Sequence, residues 1–181
     1  MSHLPIWFLG SVPSHLCDQI TQELSAIPPR DAAMGVNGEQ ISHGHRNTEV
    51  RFARDDYWFG ETMENFAHES NHICKWDYDI KGREAIQFAK YGPEQHYNWH
   101  VDNFPLCGRD TDRKVTVVCL LNDPAEFTGG DFQIRLYSEY TAPLVKGSMI
   151  AFPSILEHRV VPVLSGTRYS ATMWFNGPRF R

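Results

Sequence analysis

The 181-residue chain contains no apolar run approaching the roughly 18 residues that a membrane-crossing helix needs. Its start, Leu4-Pro5-Ile6-Trp7-Phe8-Leu9, has no basic segment before it and is interrupted by Pro5, so a secretory signal is not expected. Cysteine is scarce: Cys17, Cys74, Cys107 and Cys119 are far apart and form no C-x-x-C, which argues against a zinc ribbon or a redox pair. Free thiols in a reduced cytoplasmic protein are the first reading, and two disulfides in a secreted protein the alternative. Basic residues are outnumbered, 17 Lys+Arg against 22 Asp+Glu, for a formal net charge of −5. That balance offers no general attraction for nucleic acid or an anionic membrane, and neither is expected as a partner. No repeat, low-complexity tract or linker divides the chain. Residues 1–181 therefore read as a single domain, helical over 1–80 and strand-rich over 84–178.

What is present is a soluble-domain composition, with 41% apolar, 22% charged and 13% aromatic residues, and nine histidines. Ser14 is placed to cap a helix carrying Leu16, Ile20 and Leu24 on one face, and Pro28-Pro29 stops it. A segment rich in Gly, Asn and His runs from Asp31 to Asn47. Trp58, Phe59, Met63, Phe66 and Ile73 then write a second amphipathic helix, ending between Asn71 and Trp76. From Glu84 the period changes to two. Ile86, Phe88 and Lys90 alternate, Val115 to Leu121 reads as a strand buried on both faces, and Phe132, Ile134 and Leu136 follow the turn Gly129-Gly130. Met149–Phe152, His158–Val163 and Tyr169–Phe175 complete the set. The expected class is α+β, mainly β: an antiparallel jelly roll buttressed by two N-terminal helices.

Two motifs compete for a metal. His68-Glu69-Ser70-Asn71-His72 is an H-E-x-x-H on a predicted helix, where i and i+4 imidazoles share one face, as in a zinc metalloprotease. The segment after it, Ile73-Cys74-Lys75-Trp76, lacks the Gly and His of the extended motif, and no second helix follows to carry a third ligand. His100-Val101-Asp102 is a shorter motif in a better place. On a strand, residues i and i+2 project from one face. A histidine from another strand completes the two-His, one-carboxylate geometry suited to Fe(II) and O2, and His158 is the natural choice. Arg168 opens the last strand, and a hairpin through Leu164-Ser165-Gly166 would set it beside His158 as a carboxylate clamp. Singly, a strand histidine is ordinarily a packed residue and a strand arginine a solvated one; the order of all four is what carries weight.

With those residues in view, the chain from Tyr91 to Trp174 resembles the catalytic core of the Fe(II)/2-oxoglutarate-dependent dioxygenases, in the prolyl 4-hydroxylase-like branch. The segments are Tyr91-Gly92 through Tyr97 to His100-Val101-Asp102-Asn103, Arg113 to Asn122, Phe127-Thr128-Gly129-Gly130-Asp131-Phe132, Gly147 to Val163, and Gly166-Thr167-Arg168-Tyr169-Ser170 to Trp174. The resemblance implies a double-stranded β-helix over 84–178, with His100, Asp102 and His158 on Fe(II) as the catalytic centre. It implies 2-oxoglutarate as cosubstrate, with Arg168 on its C5 carboxylate and Tyr91 and Thr116 assisting, O2 as oxidant and ascorbate as reductant. Hydroxylation of a substrate C–H would yield succinate and CO2. Tyr97, Asn103 and Trp174 are implied on the substrate side. Leu120 stands where oxygen-sensing members carry tyrosine, and Trp174 where nucleic-acid demethylases carry a second arginine. A prolyl residue of a protein or peptide is the first substrate expected; a free amino acid or other small molecule is the alternative. The mouth loops 31–55, with Arg46, Arg51 and Arg54, and 103–113 would select it. A zinc metalloprotease on His68, Glu69 and His72 is a distant second class, and a non-catalytic jelly-roll binding module a third. Oligomeric state is not written in the sequence.

Overall fold

The computed structural model describes residues 5–31, 44–103 and 110–180. The strands are β1 (Phe8–Ser11), β2 (Arg30–Asp31), β3 (Arg46–Asn47), β4 (Glu49–Phe52), β5 (Gly82–Arg83), β6 (Gln87–Tyr91), β7 (His96–His100) and β8 (Thr111–Leu120). After them come β9 (Phe127–Gly129), β10 (Phe132–Arg135), β11 (Glu139–Thr141), β12 (Ser148–Pro153), β13 (Glu157–Val160), β14 (Val163–Gly166) and β15 (Arg168–Pro178). Two helices, α1 (Ser14–Ser25) and α2 (Phe59–Ile73), lie among the N-terminal strands.

The strands pair antiparallel into an eight-stranded sheet, β1-β12-β8-β15-β6-β4-β2 with β5 on β15, and a five-stranded sheet, β11-β10-β13-β7-β3. A small pair, β14-β9, lies apart from both. Alternation along β8 divides the core. Val115, Val117 and Cys119 face the helices, joining Cys17, Ile20, Leu24, Phe59, Met63 and Phe66. Val118, with Ala89 and Tyr91 of β6, faces the second sheet and packs with Phe132, Ile134, Phe152 and Val160. Period-two side chains that are apolar on both faces need both faces covered. The helices cover one and the smaller sheet the other, giving the double-stranded β-helix with helical support.

The structure corrects the expectation in detail. Pro13, not Ser14, occupies the α1 cap position, and no side chain caps the helix there. The face of α1 turns toward Cys17, and Leu16 is only half-buried. Segment 5–80 is more than helical support: β1 pairs with β12, β4 with β6 and β3 with β7, so both sheets draw strands from it. Those strands are two to four residues long, too short to show a period. Leu136 lies past the end of β10 and is exposed, as is Ile73 at the end of α2. The stretch His158–Val163 is two strands, β13 and β14, in different sheets, so no hairpin joins His158 to Arg168.

Candidate active site

His100 ends β7 and His158 lies in the neighbouring β13, where the two are paired across the ladder. That register, set by the hydrophobic face of the small sheet, puts both imidazoles on its inner side. Asp102, two residues past His100, turns in beneath them. Its Oδ1 lies 3.7 Å from His100 Nε2 and its Oδ2 3.3 Å from His158 Nε2. One ligand atom from each residue falls within 4.8 Å of the others, and among the described residues this is the group of His, Cys, Asp and Glu side chains so arranged.

The ring nitrogens are already sorted. His100 Nδ1 is 2.7 Å from the carbonyl oxygen of Asn98, and His158 Nδ1 is 3.0 Å from that of Leu156. A carbonyl can only accept, so each Nδ1 carries a proton and each Nε2 is the nitrogen aimed at the cluster. Burial, then the neighbouring His158, pulls the His100 pKa well below the usual histidine range against the opposing Asp102. Burial pushes the Asp102 carboxyl up. The charge and hydrogen bond of His158, then His100 and Arg113, outweigh it and hold the group below the usual carboxylate range. The ionised carboxylate is the donor form a divalent metal requires, and a metal at the cluster would take the place of any Nε2 proton.

A second layer fixes the carboxylate. Thr116 Oγ1 donates to Asp102 Oδ2 at 2.8 Å and lies 2.9 Å from Ser154 Oγ. The backbone N–H groups of Asp102 and Asn103 both donate to the Ser154 carbonyl at 3.0 Å. Thus the carboxylate that Thr116 holds is that of Asp102. Ser154, fully buried, ties the triad loop to the β12–β13 turn; nothing in its sequence context distinguished it.

Arg168 reaches the same cavity from the opposite sheet. It opens β15 directly across from Tyr91 in β6, its guanidinium carbon 5.6 Å from the Tyr91 ring centre. At 1% exposure it is among the largest fully buried side chains of the protein. Nη1 donates to Ser170 Oγ at 2.9 Å, while Nη2 has no partner. Burial lowers its pKa, opposed by Tyr91 and Asp131, but a guanidinium stays charged. An unpaired buried charge costs on the order of 3–5 kcal/mol relative to a paired one, so this group calls for an anion. Gly129 and Gly130 make the space: both hold left-handed φ, +70° and +67°, and a Cβ on Gly130 would sit 3.1 Å from Arg168 Cδ.

The cavity between the sheets is small, about 30 Å³. Tyr91, Tyr97, Trp174, Gln87 and Ser170 line it beside the triad and Arg168, and so does Arg46 of β3. Tyr97 stacks on His100, ring centres 3.4 Å apart and planes 11° apart, and burial raises its pKa. Asn103 is buried next to the triad, but the described lining residues do not include it. The three mouth arginines part company. Arg54 is exposed on Asp56, Arg51 is paired with Glu49 and donates to Ile27 O at 2.8 Å, and only Arg46 enters the cavity. Sequence reading could have found Ser170, which shares a strand face with Arg168 at i+2; Arg46 gave no periodic signal. Residues 32–43 and 104–109 of the two mouth loops, with Cys107, lie outside the described residues.

His68, Glu69 and His72 stand exposed on α2, and no third ligand joins them among the described residues. The metalloprotease alternative therefore has no metal cage in this fold. The cavity's own residues fit a divalent metal with a dicarboxylate beside it: lone pairs converge at one point, and an unpaired guanidinium waits on the facing sheet.

The family comparison agrees with that chemistry. Residues 86–176 match the model of the 2OG-Fe(II) oxygenase superfamily, and the chain belongs to that superfamily. Among its relatives, a PKHD-type hydroxylase of Synechococcus sp. (strain CC9605) is 39% identical over 168 residues, 90% of this chain and 74% of that protein. Another, from Picosynechococcus sp. (strain ATCC 27264 / PCC 7002 / PR-6), is 35% identical over 109 residues, 60% of this chain and 49% of that protein. The chain thus spans about half the length of some curated relatives it matches. In fold it is similar to the crystal structure of a Pseudomonas putida prolyl-4-hydroxylase, with a TM-score of 0.73 at 20% identity over 97% of this chain and 94% of that one.

Proposed function

We propose that this chain is an Fe(II)- and 2-oxoglutarate-dependent dioxygenase that hydroxylates a substrate C–H bond, with a prolyl residue of a protein or peptide as its first substrate class. The observation that carries the reading is the unpartnered Nη2 of buried Arg168 in the cavity onto which the three metal-donor groups converge. In this reading His100 Nε2, Asp102 and His158 Nε2 hold Fe(II), and Arg168 pairs with the C5 carboxylate of 2-oxoglutarate. The bound metal and cosubstrate supply O2 activation, with ascorbate as the reductant that keeps the metal ferrous.

The protein's own contribution is binding and orientation. Asn98 O and Leu156 O hold the two imidazoles in one tautomer, and Thr116 and Ser154 lock the carboxylate. Ser170 orients Arg168, leaving one guanidinium edge free for the cosubstrate. Tyr91 walls that subsite, while Tyr97, Trp174 and Asn103 belong to the substrate side. Trp174 Nε1 is buried without a partner and offers a donor to a substrate carbonyl.

The prolyl assignment rests on the Tyr91, Tyr97 and His100-Val101-Asp102-Asn103 run; the solved-structure likeness adds the scaffold alone. Mass spectrometry of proline-containing peptides incubated with the protein, Fe(II), 2-oxoglutarate and ascorbate tests it. The expected result is a gain of one oxygen on proline with matching succinate. Succinate release driven by free amino acids, with no peptide oxidised, would move the substrate class to small molecules.

A further inference from the structure

Arg46 holds a second buried guanidinium in the same cavity. The side chain lies on β3, opposite Tyr97 of β7, with its guanidinium carbon 4.4 Å from the Tyr97 ring centre. It is 6% exposed and lines the cavity with His100 and Trp174. Both Nε and Nη2 lack a hydrogen-bond partner among the described residues. These two N–H groups form one edge of the guanidinium. The same edge grips a carboxylate at three other places in this protein: Arg54 on Asp56, Arg113 on Glu84 and Arg135 on Glu157, each through Nε and Nη2. At Arg46 the fork is buried on a residue that lines the cavity, and among the described residues it has no acceptor.

We propose that Arg46 is the anchor for a carboxylate carried by the primary substrate. The inference rests on the oxygenase reading above, in which Arg168 takes the C5 carboxylate of 2-oxoglutarate and the remaining carboxylate would fall to the metal. A third anion-binding edge then belongs to the molecule being oxidised. A planar two-pronged donor selects a planar two-oxygen acceptor, and a charged one in a desolvated wall selects an anion over a neutral amide. The carboxylate is the α-carboxylate of a free amino acid or chain end, or an acidic side chain near the reacting residue.

The test is calorimetric binding to protein loaded with redox-inert Mn(II), with and without 2-oxoglutarate. The probes are N-acetyl amino acids, each as free acid and as amide, together with the α-amides of N-acetyl-aspartate and N-acetyl-glutamate. In the wild type the best-binding pair should favour the acid by about tenfold or more. Arg46→Gln should bring acid and amide within about twofold while leaving 2-oxoglutarate affinity unchanged. Arg46→Lys, which keeps the charge but not the fork, should retain part of the preference, and it serves if the glutamine variant folds poorly. A preference among the α-acids assigns a chain end or free amino acid; one confined to the two α-amides assigns an acidic side chain.

A panel in which no free acid outbinds its amide, and in which neither α-amide of N-acetyl-aspartate or N-acetyl-glutamate outbinds the amides of the neutral residues, overturns the proposal, as does a preference that survives Arg46→Gln. Loss of 2-oxoglutarate binding in Arg46→Gln also overturns it, by giving Arg46 to the cosubstrate. Failure of the underlying reading looks different. Wild-type protein that does not bind 2-oxoglutarate at all sinks the oxygenase reading, and, where the preference lies among the α-acids, a best pair other than proline sinks only the prolyl assignment.

Discussion

Thr116 on the large sheet donates a 2.8 Å hydrogen bond to Oδ2 of Asp102, the oxygen that lies 3.3 Å from Nε2 of His158 on the small sheet. The carboxylate of the cluster is therefore held from the sheet that does not carry the histidines. Its position depends on the two sheets staying in register. Replacing Thr116 by valine keeps the β-branched shape and removes the donor. Mn(II) or Fe(II) affinity, measured by calorimetry, should fall about 10- to 100-fold, the usual cost of losing a partner to a ligand. Thr116→Ser should restore most of it. An unchanged affinity in Thr116→Val would show that the hydrogen bond positions nothing.

Arg168 should govern the cosubstrate and not the metal. Arg168→Ala should raise the apparent KM for 2-oxoglutarate by about tenfold or more, consistent with a charged hydrogen bond of roughly 1.5–3 kcal/mol. Metal affinity in the absence of 2-oxoglutarate should not change. A KM equal to wild type would remove Arg168 from the site.

The glycine pair tests the same subsite through the backbone. Gly130 sits at φ +67°, where an L side chain costs about 1–2 kcal/mol. Its Cβ would also press on Val163 and Arg168 at 3.0 and 3.1 Å. Gly130→Ala should lower the melting temperature and raise the KM for 2-oxoglutarate together. A variant that melts lower with an unaltered KM would mean that Arg168 does not depend on this turn.

The helical layer carries a pH signature of its own. Glu23 of α1 accepts hydrogen bonds from Tyr57 Oη at 2.6 Å, Gln19 at 2.8 Å and Trp58 Nε1 at 3.0 Å. Tyr57 first, then Gln19 and Trp58, hold its carboxyl below the usual range against slight burial. A depressed carboxyl adds stability above its unfolded pKa of about 4.3 and loses it as pH falls through the lower folded value. Wild type should melt above Glu23→Gln at pH near 7, by a small margin because the site faces solvent. That margin should vanish at pH near 2. Equal margins at both pH values would refute the linkage.

The sequence pairs His100 with Asp102 as one strand face, but β7 ends at His100, and Asp102 is turned in by its N–H bond to Ser154 O. His100 and Asp102 declare themselves by spacing, and the apolar runs around them declare the sheets. Arg168 was placed correctly on its strand but for a wrong reason, since β14 leaves for another sheet and the clamp arrives across the cavity instead of along a hairpin. Thr116 is implied only by the resemblance, as an aid to 2-oxoglutarate, and the fold sets its hydroxyl against Asp102. Arg46, Arg51 and Arg54 look alike in sequence, yet they end as a buried unpaired cation, a paired one and a solvated one. What separates them is which short strand each occupies, and strands of two to four residues carry too little period to announce themselves. His68 and His72 show the converse: a strong local motif on an exposed stretch of helix that no third ligand joins among the described residues.

The central claim is that the His100, Asp102 and His158 cluster drives oxidation of 2-oxoglutarate. The most direct measurement is succinate formed against O2 consumed, with Fe(II) present, in wild type, His158→Ala and His68→Ala. The account predicts Fe(II)-dependent succinate matched to O2 uptake in wild type and in His68→Ala, with none in His158→Ala. Succinate release that survives His158→Ala, or that disappears in His68→Ala, would contradict it.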